Sequence, residues 1–198
     1  MTNSSDPFDS LLHATTDALS SSDAPLAGKF VRSLAELPDQ RHRIEPATVS
    51  ACEHLDTALG LGADGMAPLI AAVENIRSQL RWQEMTRSGL PDYFLPNHGY
   101  VELIGAEGDA RSPDIRLGLY LQAPGIFYPA HAHDAEEFFL VLGGTADWQK
   151  DDGEWQPQPP GSFIHHQPSQ HHATTTVGEP LLAIWGWTGD IDGDYWVV

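Results

Sequence analysis

The chain has 198 residues, enough to bury one substantial core with a smaller satellite unit. Acidic residues outnumber basic ones 28 to 10, a formal net charge of −18, which opposes phosphate backbones and anionic lipid and leaves neither nucleic acid nor membrane as an expected partner. Cys52 is the only cysteine, so no intrachain disulfide can form. The start, Met1-Thr2-Asn3-Ser4-Ser5-Asp6, lacks the basic residues and apolar run of a secretion signal, no run approaches a bilayer span, and the expected location is cytoplasmic.

The first half reads helical. Asp6-Pro7 is a start signal for a segment carrying Phe8, Leu11, Leu12 and Leu19 at near-helical spacing. Pro25 opens a second segment, with Leu26, Phe30, Leu34 and Leu37 on one face, and Pro38 ends it. Pro46 opens a third through Leu59, stopped by Gly60 and Gly62. Pro68 lies near the start of a fourth, in which Leu69, Val73, Ile76 and Leu80 recur every three or four residues. Each segment has one apolar face that needs a partner, either a second copy of the chain or a barrel to cover.

From about Tyr93 the texture changes to short strands bounded by Gly, Pro and Asp: 100–105, 115–121, 138–142, 146–148, 163–164, 173–177 and 181–187. Lys150-Asp151-Asp152-Gly153 reads as a hairpin turn before Trp155. Several short strands at close spacing predict a sandwich or barrel. The division is therefore residues 1–92, helical, and 93–198, a β-barrel.

The stretch from Gly125 to Gly144 carries the chemistry. It reads Gly, five residues, His131-x-His133, three residues, Glu137, six residues, Gly144. Read as one strand, His131, His133, Glu137 and Phe139 have the same parity and share a face. Two imidazoles and a carboxylate converging there suit a divalent transition metal. A further imidazole is available from His165, His166, His171 or His172. Trp185 and Trp187 share a face on a strand expected to line the barrel, and an aromatic wall can hold an onium cation at ~0.5–2 kcal/mol per contact.

At these residues the chain resembles the cupin superfamily. Its first motif is matched at every defining position, and the second runs from Gly161 to His172, with Pro168 one place late and Ser169 where Gly is common. Tyr128-Pro129-Ala130-His131-Ala132-His133, then Ala135-Glu136-Glu137, behind a helical half, is similar to the cupin-type dimethylsulfoniopropionate lyases and their lyase-like relatives. The resemblance implies a mainly β fold with α: a single cupin barrel (double-stranded β-helix, jelly roll) preceded by a helical region. It implies one divalent transition ion (Zn, Fe(II), Mn or Ni) on His133, Glu137 and His172, with His171 the alternative to His172. His131 is then a fourth ligand or a hydrogen-bonding neighbour. It also implies a small zwitterionic substrate, bound among Trp185, Trp187 and Phe139, on a monomer or homodimer.

The implied reaction is β-elimination of dimethylsulfoniopropionate to dimethyl sulfide and acrylate, with Tyr128 and His131 catalytic. The lyases carry Tyr two residues after the metal-binding Glu, whereas this chain has Phe139. Phenylalanine cannot take a proton, which leaves Tyr128 as the expected base. Two other readings use the same ligand set: a non-haem iron dioxygenase, which would consume oxygen, and a lyase-like cupin that binds small molecules without turnover.

Overall fold

The structure is a computed structural model and describes residues 6–198; Met1–Ser5, on which the secretion-signal reading partly rests, lie outside the described residues. Helix α1 (Pro7–Ser20) begins where the Asp6 carboxylate accepts the Phe8 N–H at 2.8 Å, and buries Phe8, Leu11, Leu12 and Leu19. Helix α2 (Pro25–Ala35) buries Leu26, Ala27 and Phe30. The third helix is shorter than its periodicity suggests. Ala47 forms an isolated bridge with Arg81, its N–H donating to Leu80 and its carbonyl accepting from Trp82. Those partners hold the chain after Pro46 extended, a short 3-10 stretch follows at Ser50–His54, and α3 spans only Leu55–Gly60. Helix α4 (Ala67–Ile76) ends in another 3-10 turn.

The strands are β1 (His98–Ile104), β2 (Ile115–Gln122), β3 (Phe127–His133), β4 (Ala135–Gly143), β5 (Ala146–Lys150), β6 (Gln156–Gln158), β7 (Phe163–His166), β8 (His172–Thr176), β9 (Leu181–Gly189) and β10 (Tyr195–Val197). They form two antiparallel five-stranded sheets, ordered β1-β2-β9-β4-β7 and β10-β3-β8-β5-β6. This is the double-stranded β-helix, preceded by helices, that the motif resemblance implies. The sequence reading did not include β10.

The helices cover the barrel. Phe30 of α2 meets Phe138 of β4 edge-on at 4.7 Å, over Gly186 of β9, where any Cβ would strike both rings. One apolar core runs from Phe8 through the helices to Ile184. A second cluster, inside the barrel, gathers Tyr120, Tyr128, Phe139, Trp148 and Trp185. The sheet face that looks inward is thus aromatic, and the site is built there.

The ligand motif does not lie on one strand. His131 and His133 end β3 in one sheet, Glu137 and Phe139 lie on β4 in the other, and Asp134 makes the corner between them. Asp134 donates its N–H to the Asp194 carbonyl, and its carboxylate accepts from the Asp194 N–H (2.9 Å) and the Ser169 hydroxyl (3.3 Å). Parity fails across a corner, and the candidate ligands converge because the two sheets face each other rather than because one face holds them all.

Candidate metal centre

Three ligand atoms come together. His133, Glu137 and His172 are all buried, and one ligand atom from each lies within 4.8 Å of the others. His133 Nε2 is 3.3 Å and His172 Nε2 3.1 Å from Glu137 Oε2. Strand β8 supplies His172 opposite His131 of β3, and the neighbouring His171 is exposed. His172 follows a tight turn at Ser169, whose φ of 59° is the left-handed conformation that favours the Gly common at this motif position. The Ser169 N–H still reaches the His133 carbonyl at 2.8 Å.

The imidazoles have fixed tautomers. His131 Nδ1–H donates to the Pro129 carbonyl at 2.8 Å, His133 Nδ1–H to that of Ala135 at 3.0 Å, and His172 Nδ1–H to that of Gln170 at 2.9 Å. Each ring therefore presents a bare Nε2 lone pair. Those of His133 and His172 are buried without a hydrogen-bond partner. Two lone pairs facing a carboxylate oxygen at 3.1–3.3 Å repel unless something positive sits among them. The donor set therefore fits a divalent ion bound by imidazole and carboxylate.

The electrostatics agree. Burial alone would depress the His133 imidazolium, but the adjacent Glu137 charge outweighs it and the net shift is upward. Glu137 is fully buried, which would raise its carboxyl; the positive charge its imidazole neighbours can take up, His133 first, and the His166 hydrogen bond instead hold it well below the usual carboxylate range. The cluster attracts positive charge.

Other predicted residues are placed as follows. Tyr128 and His131 both face the interior because Pro129-Ala130 forms a bulge that shifts the β3–β8 register. Their rings stack at 4.0 Å. His131 lies outside the 4.8 Å cluster, and burial, followed by the His172 charge, keeps it neutral, well below the ordinary imidazole value. The Tyr128 hydroxyl donates to Met85 Sδ (3.4 Å) and pairs with the Tyr195 hydroxyl (3.0 Å). Burial first, then the neighbouring Tyr195, push it well above the ordinary phenol value.

Phe139 meets Tyr120 edge-on at 5.7 Å. Trp185 is pinned over Gly118, its Nε1–H donating to the carbonyls of Val101 and Leu119, both at 3.2 Å. Trp187 lines the same space, but its indole Nε1–H donates to Glu137 Oε1 at 2.6 Å. These walls enclose a cavity of ≈ 270 Å³ that includes His131, His133, Glu137, Tyr100, Tyr120 and Tyr195.

Two further residues complete the site, of which only Tyr195 was not offered by the sequence. Tyr195 arrives on β10, in register with His133, with the Arg87 guanidinium 5.6 Å from its ring centre. His166 is fully buried and stacks on His172 at 3.9 Å, its Nδ1–H donating to Glu137 Oε2 at 2.8 Å. Its neighbour His165 points outward to Glu136, which also pairs with Lys29 of α2. Strand alternation at 165–166 was readable; which member faces inward depends on the β4–β7 register, which is not.

The dimethylsulfoniopropionate (DMSP) lyase family model matches residues 25–183. The chain is 30% identical over 195 residues to the dimethylsulfoniopropionate lyase DddQ of Ruegeria pomeroyi, covering 97% of this chain and 94% of that protein. The crystal structure of DMSP lyase DddQ from the same organism superposes with a TM-score of 0.83 at 22% identity, over 97% of this chain and 96% of that one. A chain from the crystal structures of the DMSP lyases RdDddP and RnDddQII gives 0.81 at 23% identity, over 97% of both chains. Both superpositions extend through helices and barrel alike.

Proposed function

Because the chain belongs to the dimethylsulfoniopropionate lyase family, we propose that it cleaves dimethylsulfoniopropionate by β-elimination at a cation held by His133, Glu137 and His172. The observation that carries this is the pair of buried, unpartnered Nε2 atoms beside Glu137, opening on an aromatic cavity. A divalent ion bound there, one of Zn, Fe(II), Mn or Ni, supplies Lewis acidity that stabilises negative charge developing on the substrate carboxylate. His131, whose bare Nε2 faces the cavity, is either a fourth ligand or a hydrogen-bond acceptor beside the substrate.

The aromatic walls hold the sulfonium end. Trp185, Phe139 and Tyr120 present ring faces and edges to that cavity. The carboxylate end lies toward His131 and His133. Tyr128, once its own hydroxyl proton has left along the Tyr195 hydroxyl, takes as the phenolate the proton from the carbon next to the carboxylate. Electrons of that C–H bond form the C=C bond of acrylate, the C–S bond breaks, and its pair leaves on sulfur as neutral dimethyl sulfide, which needs no acid. Tyr195, half-buried and hydrogen-bonded to Tyr128, offers the proton a way out.

Two observations favour a second reading, a lyase-like cupin that binds without turnover: position 139 carries Phe, and Tyr128 is deeply buried with its proton held firmly. Headspace detection of dimethyl sulfide from metal-loaded protein separates the readings. Elimination predicts equal release with and without oxygen. Substrate binding with no dimethyl sulfide would establish the second reading, and oxygen-dependent consumption of substrate would contradict both.

A further inference from the structure

The sheet register places a hydrogen-bond donor on each side of Glu137. Strands β9 and β7 flank β4, and the residues directly opposite Glu137 are Trp187 on β9 and His166 on β7. All three point to the interior, so Glu137 is the middle of a row that crosses three strands. Trp187 Nε1–H takes Oε1 at 2.6 Å and His166 Nδ1–H takes Oε2 at 2.8 Å. An indole N–H can only donate. His166 is fully buried, stacked at 11° on His172, and its Nε2 has no partner, so its single proton is on the nitrogen facing Glu137.

From this geometry we infer that Trp187 and His166 are positioning residues that clamp Glu137 from both sides, so that it can offer the bound cation one lone pair of Oε2 and no more. This rests on the reading above that His133, Glu137 and His172 hold the ion. A carboxylate free to rotate can chelate through both oxygens and occupy an extra coordination position. With Oε1 committed to the indole and the plane fixed by the imidazole, that position stays open for the substrate carboxylate. Trp187 thus acts on the reaction through Glu137 as well as by walling the cavity. The stack of His166 on His172 extends the device, since the ring that orients the carboxylate also limits the tilt of a ligand imidazole.

The clamp explains two features that the ligand motif alone does not. A buried histidine with an orphaned nitrogen is costly unless its other nitrogen does something specific, and here that is holding a ligand's carboxylate. A tryptophan on the cavity wall turns its polar edge to Glu137 instead of to solvent.

The test uses the full chain stripped of metal and titrated with Co(II), whose visible absorption reports affinity and coordination number together. Trp187→Phe keeps a ring and removes the donor; His166→Phe does the same on the other side, and His166→Gln restores an N–H. Orienting partners of this kind typically change metal affinity by roughly 10–100-fold. We expect each Phe variant to bind Co(II) at least tenfold more weakly, with a weaker visible band because a released carboxylate raises the coordination number. His166→Gln should recover much of both. Thermal melting of the metal-free proteins monitors folding; should His166→Phe not fold, Trp187→Phe and His166→Gln carry the test. Equal affinity and an unchanged spectrum in folded variants would overturn the clamp while leaving the metal site intact. Failure of the unsubstituted chain to bind Co(II), or binding that survives His133→Ala, would instead overturn the site itself.

Discussion

Replacing Tyr128 by Phe removes one oxygen from a packed ring and separates catalysis from architecture. The ring keeps its place between His131, stacked at 4.0 Å, and Phe94, stacked at 4.4 Å. What is lost is the pair of hydroxyl contacts, to Tyr195 at 3.0 Å and Met85 Sδ at 3.4 Å. The sulfur contact is weak, and the half-buried Tyr195 hydroxyl can turn to water. The stability loss is therefore that of one neutral hydrogen bond, ~0.5–1.5 kcal/mol, a fall in melting temperature of a few degrees for a chain of this size. A proton acceptor is worth far more to the rate, roughly 10²–10⁴-fold, or about 3–5 kcal/mol of barrier. Metal content should not change, because no ligand atom is touched. The assay is dimethyl sulfide release at saturating substrate, with bound metal measured on the same samples. A Phe variant within a few-fold of the parent rate, with metal retained, refutes Tyr128 as the base.

The metal site also predicts a pH dependence. Against the opposing effect of burial, His133 is raised in the metal-free protein by Glu137, so a proton competes with the ion, and affinity should strengthen as pH rises through its raised value; affinity that does not change with pH above the ordinary imidazole range would contradict that upward shift. His98 is lowered by burial to about 4 and accepts the Met85 N–H at 2.8 Å in its neutral form. Its contribution to stability is present above the unfolded value of about 6.5 and is lost as pH falls toward the folded one, an effect of a few kcal/mol, so His98→Gln should flatten acid unfolding between those limits. Phe30→Ala should destabilise by ~3–5 kcal/mol because its buried ring seals α2 onto Phe138, whereas Lys29→Ala, breaking the half-exposed pair with Glu136, should cost under about 1 kcal/mol; denaturant midpoints compare the two. Gly118→Ala should cost more than an ordinary surface substitution, since the added Cβ would meet the Val101 carbonyl oxygen and the Trp185 indole nitrogen; unchanged stability would show that β1 and β2 are not held this close.

What the sequence reveals and what it hides follows from the range of each interaction. Caps, prolines and apolar spacing are local, so α1 and α2 are readable from Asp6-Pro7 and Pro25, and the ligand types are readable from the His131-to-Glu137 spacing. Pro46 misleads because its fixed φ serves extended chain as well as a helix, and the Leu80 and Trp82 partners that decide the matter lie some 35 residues on. The corner at Asp134 is hidden for a similar reason: it depends on Ser169 and Asp194. Strand β10 has only three residues behind a turn rich in Asp and Gly, too short for periodicity to register. Tyr195 went unnoticed with it. The roles of Trp187 and His166 depend on which residues stand opposite Glu137, and inter-strand register cannot be counted off a single chain.

Anomalous scattering from crystals grown with the bound transition ion tests the central claim most directly. A single peak at about 2.0–2.2 Å from His133 Nε2, His172 Nε2 and one Glu137 oxygen, with at least one coordination position free of protein, is the predicted result. No peak there, or a peak on the outward-facing His165 or the exposed His171 instead, would contradict the account.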